Sequence, residues 1–200
     1  MYEIGHITGY NISNEGENAI SGEELFSRYL SGDDSAFERL VALYEDGLAN
    51  YIFGIVRDRH ETKHLTIESF AQLAVGGRKF AGKSSLKTYL YTIGKNLAYR
   101  YVKMRGNEQH VSFEEIESVM GDRSNTPEDF VLNEEKRKRL KEVMRELKDD
   151  HFDVLILLYF EDMSYLQAGQ VMKKSEKQIK HLVSRAKASL KKKLENYGFT

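Results

Sequence analysis

The basic segment from Ser164 to Leu194 is the stretch whose residue types most clearly suggest a chemistry. Its apolar residues recur every three to four positions on both sides of a break at 173–175, which predicts two amphipathic helices joined by a tight turn. Nine Lys or Arg and a single acid lie between Lys173 and Lys193, on a chain whose net charge is −1. This layout is typical of a DNA-binding helix-turn-helix, although a basic amphipathic helix can also be a solvated surface helix.

A second signal is the run His60-Glu61-Thr62-Lys63-His64, which has the H-E-x-x-H spacing. On a helix this spacing brings two imidazoles to one face, where they can bind zinc beside a glutamate that acts as a base. The preceding residues are charged, however, and no third ligand follows at a familiar spacing. A zinc hydrolase using His60, Glu61 and His64 is therefore a remote alternative to a solvated polar helix surface.

A third signal is the tyrosine-rich segment that follows the glycine-rich stretch 76–85. Between Lys83 and Arg105 there are six basic residues and no acid, with four tyrosines interleaved. Aromatic rings can stack on unpaired bases while cations follow the phosphates, although the same tyrosines could simply close a core. The 76–85 stretch is predicted to be a loop, either a connector or a nucleic-acid contact, and it lacks the spacing of a P-loop.

The bulk composition limits the class of protein. The 200 residues include no cysteine, which excludes disulfides, thiolate zinc sites and a cysteine nucleophile. A single proline and long segments of helical periodicity predict an all-α chain. No apolar run approaches the roughly 18 residues that a spanning helix needs, so we expect a cytoplasmic protein without membrane insertion. No cofactor motif is present, and none is expected.

The chain divides by composition into four parts. Residues 1–20 are predicted to be a flexible tail, 21–105 a helical domain, 106–126 an acidic linker, and 127–200 a second helical domain that ends in the helix-turn-helix. A continuous apolar face from Phe37 to Val56 predicts a long helix. The helical pattern continues from Arg57 to Leu73, with Leu65, Phe70 and Leu73 as its expected core contacts. The apolar run 152–160 is expected to form the central helix of the second domain.

Four segments in this order carry a resemblance to a known family: GDDSAFERLVALYEDGLANYIFGIVRD, SLKTYLYTIGKNLAYRYV, TPEDFVLNEE and DVLILLYFEDMSYLQAGQVMKKSEKQIKHLVSRAKASL. Over residues 25–194 the chain resembles a bacterial RNA polymerase sigma factor of the extracytoplasmic-function type. The resemblance implies a non-enzymatic subunit that binds core RNA polymerase, reads the minus-thirty-five element as duplex and captures the melted minus-ten strand. An anti-sigma factor is a further candidate partner. The alternative is a sigma-like DNA-binding regulator without productive polymerase binding.

The resemblance also assigns residues to three surfaces. For the minus-thirty-five duplex these are Ser175, Lys177, Gln178, Lys180, His181, Ser184, Arg185 and Lys187. For the minus-ten strand they are Arg78, Lys79, Phe80, Lys83, Lys87, Tyr89, Tyr91, Lys95, Asn96 and Arg100. For polymerase they are Lys63, His64, Leu65, Ile67 and Glu68. Gln178 is the expected contact to an adenine edge, and Arg185 and Lys187 are expected to meet phosphates.

Several positions depart from the pattern of the family. Lys63 and His64 stand where an acidic pair is usual, which predicts a divergent clamp-binding helix. Lys173 replaces the usual turn glycine at a position that often needs positive φ. Gly169 replaces an alanine, and Leu182 replaces an arginine. Together these changes predict a divergent member with an unusual promoter preference or a modified clamp contact. Lys173 and Leu182 are the residues expected to set its DNA recognition apart.

Overall fold

The computed structural model describes residues 20–77, 80, 82–106, 140, 142–144 and 146–196, and in this part the chain is helical without a strand. The predicted all-α fold is confirmed. Predictions for the tail 1–19, for Arg78 and Lys79, for the linker 107–126 and for a helix start at Thr126 lie outside the described residues. The numbered helices are α1 (Gly22–Leu30), α2 (Asp34–Val56), α3 (Arg59–Gly76), α4 (Leu86–Arg105), α5 (Asp149–Tyr159), α6 (Tyr165–Met172) and α7 (Glu176–Asn196).

Side-chain caps determine where the first four helices begin. In each, a Ser or Asp accepts a hydrogen bond from the backbone N–H three residues later, which satisfies a free donor of the first turn. The pattern from Arg57 to Leu73 predicted a continuous helix, but Arg57 adopts a left-handed conformation with φ 57° and ends α2. Asp58 then caps α3, so the two helices are separate. The four capping residues are Ser21, Asp33, Asp58 and Ser85.

Helices α1 to α4 form the N-terminal half around one apolar core. Leu65, Phe70 and Leu73 are all buried in it, as predicted. The Glu23 carboxylate of α1 accepts a hydrogen bond from the backbone N–H of Leu86 at 2.8 Å. Because this acid lies at the positive end of the α4 dipole, it stabilises α4 where that helix begins.

The C-terminal half is built on α5, whose residues 152–157 are all buried. Helices α6 and α7 pack against it and are joined by the turn 173–175, which confirms the predicted helix-turn-helix and its central helix. A capping box starts α6: Ser164 accepts from the Gln167 N–H at 3.2 Å, and Gln167 Oε1 accepts from the Ser164 N–H at 2.7 Å. None of the described helices is long and apolar enough to cross a membrane.

The two halves pack against each other and share one apolar core. Helix α4 lies along α6, and α2 meets α5. The side chain of Gln167, at the start of α6, donates to Ser85 Oγ at 3.2 Å, where α4 begins. The surface of α4 that faces the C-terminal half is therefore not open to solvent.

Replacing Lys173 with glycine is expected to stabilise the helix-turn-helix by about 1 kcal/mol, because the left-handed conformation is strained for a residue with a Cβ. Lys173 caps α6 at φ 55° and ψ 43°, as its position in the motif predicted. The measurement is urea unfolding of both proteins. Lys174→Gly is the matched control: Lys174 has no positive φ, so glycine there should destabilise. Destabilisation by Lys173→Gly would contradict the role assigned to this conformation.

Candidate nucleic-acid interface

Helix α7 has two distinct faces. Ile179, Leu182, Val183 and Ala186 are buried against the rest of the C-terminal half. The opposite side is open to solvent along three turns and is rich in cations. This open face brings together most of the residues predicted to meet the minus-thirty-five duplex: Ser175, Lys177, Gln178, Lys180, His181, Ser184 and Arg185 are exposed, and Lys187 is half-buried.

A second capping box begins α7. The Ser175 hydroxyl accepts from the Gln178 N–H at 3.3 Å, and Gln178 Oε1 accepts from the Ser175 N–H at 2.7 Å. A bidentate adenine contact needs the amide oxygen as well as the amide nitrogen, and here the oxygen is already engaged. In this arrangement the Gln178 amide nitrogen is available to donate to a base, whereas a bidentate adenine contact would require the oxygen to accept a second hydrogen bond beside the one from Ser175. The spacing Ser-x-x-Gln in the sequence is the signal for this cap.

The cations of the open α7 face differ in their surroundings. Lys180 pairs with Glu176 at 3.1 Å one turn earlier, and Lys187 Nζ lies 4.8 Å from the centre of the Tyr159 ring. Lys177 has no ion-pair partner within the described part of the chain. Arg185 lies near His151, and burial together with the charge of Arg185 lowers the pKa of His151. His151 is therefore neutral at pH 7. The side chain of Arg185 remains available to contact other groups.

Two of the departures from the family pattern have a structural explanation. Leu182 is only 4% exposed and packs in the core, so its own side chain does not lie on the open face of α7. Its apolar side chain simply fits the buried face of α7. The effect of this position on promoter preference stays a prediction. A Cβ added at Gly169 would lie 2.6 Å from the Lys174 carbonyl oxygen. Glycine is therefore what allows the turn to pass so close to α6.

Helix α4 presents a stripe of alternating lysine and tyrosine to the C-terminal half, with Lys87, Tyr91, Lys95 and Tyr99 spaced four residues apart. Residues at this spacing share one helix face. Tyr91 is buried and its hydroxyl donates to the Glu161 carboxylate. The Lys87 ammonium lies 3.0 Å from the same carboxylate and donates to the Glu161 carbonyl oxygen at 2.7 Å.

One turn further along, the stripe meets Asp153 of α5. The Tyr99 hydroxyl donates to Asp153 Oδ2 at 3.0 Å, and Lys95 Nζ lies 3.8 Å from that oxygen. Tyr51 of α2 faces the same carboxyl, but its hydroxyl and Asp153 Oδ1 are buried without a hydrogen bond among the described residues. Burial raises the pKa of Asp153 to about 7, even though Lys95 and the Tyr99 hydrogen bond oppose the shift.

The remaining residues predicted to meet the minus-ten strand lie off this stripe. Phe80 packs between Phe26 and Tyr89, with ring centres 6.3 Å and 5.2 Å away. Lys83 and Asn96 are exposed, and Arg100 pairs with Glu68 of α3 at 3.3 Å. Among the described members of the predicted set, Lys83, Asn96 and Arg100 are exposed, and Phe80 and Tyr89 pack together in the N-terminal half. Lys87, Tyr91 and Lys95 face the C-terminal half.

Comparison with known proteins decides the family. The description "Sigma-70 region 2" matches residues 40–108, and "Sigma-70, region 4" matches residues 137–190. The chain belongs to the extracytoplasmic-function sigma factors. Among its relatives, "RNA polymerase sigma factor YlaC" of Bacillus subtilis is 26% identical over 159 residues, which are 80% of this chain and 92% of YlaC. "RNA polymerase sigma-H factor" of Pseudomonas aeruginosa is 27% identical over 180 residues, 86% of this chain and 93% of the relative.

Two solved structures share the fold of this sigma factor. CnrH, solved with the cytosolic domain of CnrY, has a TM-score of 0.65 at 19% identity and is matched over 96% of its length by 86% of this chain. RpoE of Bartonella quintana, solved with the anti-sigma factor NepR, has a TM-score of 0.61 at 21% identity, with coverage of 80% of this chain and 96% of RpoE. As a sigma factor, the protein directs transcription initiation through DNA recognition.

The residues predicted to meet polymerase lie on α3 with different exposures. Lys63 and His64 are exposed, and 56% of Ile67 is open to solvent. Leu65 is buried in the N-terminal core, so its side chain supports the helix from within. Glu68 is partly engaged by Arg100. The surface that α3 leaves for a partner therefore centres on Lys63, His64 and Ile67.

The zinc alternative is not favoured for this sigma factor. The His60 side chain is 90% exposed, and its Nδ1 atom lies 3.8 Å from Glu61 Oε1. Among the described residues, no three His, Asp or Glu side chains lie close enough together to hold a metal ion. His60, Lys63 and His64 are exposed at the start of α3, while Glu61 is half-buried and Thr62 is buried.

Proposed function

We propose that this sigma factor reads the minus-thirty-five duplex with the open face of α7 and captures the melted minus-ten strand with α4 and the loop 76–85. The division of α7 into a buried apolar face and an open basic face is the observation that carries the proposal. An exposed helix with cations along one side fits the major groove and the flanking phosphates. Residues 127–200 would form the domain for this duplex, and 21–105 the domain for the melted strand.

The polymerase contact is proposed for the exposed side chains of α3. Lys63, His64 and Ile67 form a mixed basic and apolar surface that a clamp helix of core polymerase could meet. Lys63 and His64 stand where an acidic pair is usual, so the facing polymerase surface would have to supply acidic or neutral groups. We also propose that the protein acts in the cytoplasm, where promoters are, and catalyses no reaction of its own.

An anti-sigma partner is proposed from the solved relatives. CnrH was solved with the cytosolic domain of CnrY, and RpoE with the anti-sigma factor NepR. A protein of this class could act on the present chain by occupying the surfaces of α3 and α4. Co-purification of this sigma factor with a small protein would support this part of the proposal, provided that core polymerase displaces that protein.

Transcription in vitro tests the proposed function. Core RNA polymerase of the source bacterium, genomic DNA fragments and this protein are expected to give transcripts from discrete start sites, absent when either protein is omitted. DNA binding without binding to core would instead favour a sigma-like regulator. Stoichiometric zinc in the purified protein that is lost in the His60→Ala variant would instead favour the zinc-hydrolase alternative. No promoter-dependent initiation together with no binding to core would overturn the proposal.

A further inference from the structure

Two helices of the C-terminal half begin with the same capping box. Ser164 and Gln167 start α6, and Ser175 and Gln178 start α7. In both boxes the glutamine Oε1 atom accepts a hydrogen bond from the backbone N–H of the serine at 2.7 Å. The serine hydroxyl accepts from the backbone N–H of the glutamine, at 3.2 Å in α6 and 3.3 Å in α7. These reciprocal bonds hold the two glutamine side chains in the same way.

In α6 the amide nitrogen of the capping glutamine acts as a donor to a group outside its own helix. Gln167 Nε2 donates to Ser85 Oγ of the N-terminal half at 3.2 Å. The capping glutamine thus keeps its oxygen for its own backbone and extends its nitrogen towards a facing acceptor. Gln167 therefore shows what a glutamine in this kind of box offers to a partner.

In α7 the equivalent nitrogen has no partner among the described residues. Gln178 is exposed, and its two hydrogen bonds are those of the capping box, which leave Nε2 free. His181 and Arg185 follow at helical spacing on the same open face. Lys177 and Lys180 flank Gln178 in the sequence and are exposed as well. The free nitrogen therefore lies among cations that can contact the phosphates of a duplex.

We propose that Gln178 reads a guanine of the minus-thirty-five element with its amide nitrogen as the donor, and that the capping box sets this choice of base. The inference rests on the proposed function of α7. In the major groove guanine presents two neighbouring acceptors, N7 and O6. An amide nitrogen carries two hydrogens and accepts none, so it matches this edge of guanine.

The other three bases fit the capping glutamine less well. Adenine places a donor, its N6 amino group, beside N7. That donor would be satisfied only if the glutamine oxygen, already engaged by Ser175, accepted a second hydrogen bond. Cytosine presents the N4 amino group, so two donors would face each other without an acceptor. Thymine presents one acceptor, O4, next to a methyl group. The expected order of preference is guanine, then thymine, then adenine and cytosine.

The first test selects preferred duplexes from a pool of promoter fragments randomised over the minus-thirty-five element of a promoter that the transcription assay identifies. The full-length protein assembled with core polymerase binds the pool, and the bound fragments are sequenced. Gln178→Glu retains an oxygen for the Ser175 N–H and replaces the amide nitrogen with an acceptor. At one base position the original protein is expected to prefer guanine over cytosine about fivefold, and Gln178→Glu to prefer cytosine over guanine.

Two results of this selection would overturn the proposal. One is an unchanged preferred base at every position in Gln178→Glu. The other is a preference of the original protein for adenine at the position that changes in the variant, because adenine recognition would mean that the Gln178 oxygen contacts the base.

Gln167→Glu is the matched control, because it makes the same change of charge in the other capping box. The Gln167 nitrogen contacts Ser85, so the preferred base should stay the same at every position. If Gln167→Glu changes the preferred base as Gln178→Glu does, the change comes from the added negative charge, and the assignment of Gln178 to a base is wrong.

A second test changes the DNA and does not depend on the folding of Gln178→Glu. A guanine analogue with C–H in place of N7 lacks one of the two proposed acceptors and keeps its base pairing. At the selected guanine it should weaken binding of the original protein about threefold. Gln178→Met has a side chain of similar length without an amide, and it should bind both duplexes alike. No loss for the original protein, or an equal loss for both proteins, would contradict the proposed contact.

Failure of this inference can be told apart from failure of the proposed function. If replacing Lys177 and Lys180 together with alanine leaves duplex binding unchanged, α7 does not face the duplex and the proposed function fails. If that double variant weakens duplex binding while Gln178→Glu leaves every base preference unchanged, α7 still faces the duplex and the assignment of Gln178 alone fails.

Discussion

Asp153→Asn is expected to stabilise the folded protein by about 4 kcal/mol at pH 8 and to leave it nearly unchanged at pH 4. The Asp153 carboxyl is buried between α5, α2 and α4, and burial raises its pKa from 3.8 to about 7. A rise of the pKa from 3.8 to about 7 corresponds to a free-energy difference of about 4 kcal/mol between the two protonation states. Asparagine has the shape of the neutral acid and carries no charge at any pH.

The direction of the pH effect follows from the proton bound to this carboxyl. The folded protein holds the proton up to about pH 7, while an exposed Asp153 releases it near pH 4. The contribution of this group to stability is therefore fully present below pH 4 and is lost as the pH rises through 7. The groups that face Asp153 are Lys95 and Tyr99 of α4, Tyr51 of α2 and Asp150 of its own helix.

Urea unfolding of the two proteins at pH 4, 6 and 8 measures this difference, because other titrating groups affect both proteins alike. Asp150→Asn is the matched control, since Asp150 is 57% exposed and pairs with Lys174 at 3.2 Å. Its effect should stay within about 0.5 kcal/mol at every pH. If the stability difference between Asp153→Asn and the original protein is the same at pH 4 and at pH 8, the difference does not come from titration of this carboxyl.

Much of the fold followed from local patterns in the sequence. The apolar face from Phe37 to Val56 became α2, and the break at 173–175 became the turn of the helix-turn-helix. The break at Arg57 was missed because its left-handed conformation ends a helix without a glycine. The remaining sequence signal for this break is Asp58, which caps α3. A single aspartate within a charged run is a weak signal for the start of a helix.

The contact between the halves could not be predicted from periodicity. Tyr91 and Tyr99 were expected either to stack on bases or to close a core, and both donate to acids from a distant part of the chain. Pairing over such separations depends on tertiary packing, which a local pattern does not encode. Gly47 and Gly54 of α2 lie against the C-terminal half. They were weak hints, since a glycine inside a long helix often marks a close approach.

The sequence predicted the position of the candidate duplex surface better than the roles of its individual side chains. A basic, exposed face on the second helix follows directly from helical spacing, and the described residues have it. The engagement of Gln178 in a cap and the burial of Leu182 depend on side-chain positions that spacing alone leaves open. Specificity therefore has to be sought among the groups that remain free on this face, such as the Gln178 amide nitrogen and the side chains of Lys177, His181 and Arg185.

Replacing Lys177 and Lys180 together with alanine is expected to weaken binding to a minus-thirty-five duplex roughly tenfold at 0.2 M salt. Each lost phosphate contact reduces the slope of log affinity against log salt by about one, so the double variant should show a slope shallower by about two. The free energy of unfolding should hardly change, because both side chains are exposed. Titrations at several salt concentrations with a fluorescent duplex give the slope.

The two lysines should not contribute equally. Lys180 is partly neutralised by Glu176 at 3.1 Å, so part of its attraction to phosphate is lost in breaking that pair. Lys177→Ala alone should therefore account for more than half of the loss. Lys192→Ala is the matched control, because it lies 15 residues further along α7, about 22 Å away, beyond the reach of the same groove contact. If the salt dependence of duplex binding becomes shallower in Lys192→Ala but not in Lys177→Ala, the duplex-binding surface lies at the far end of α7.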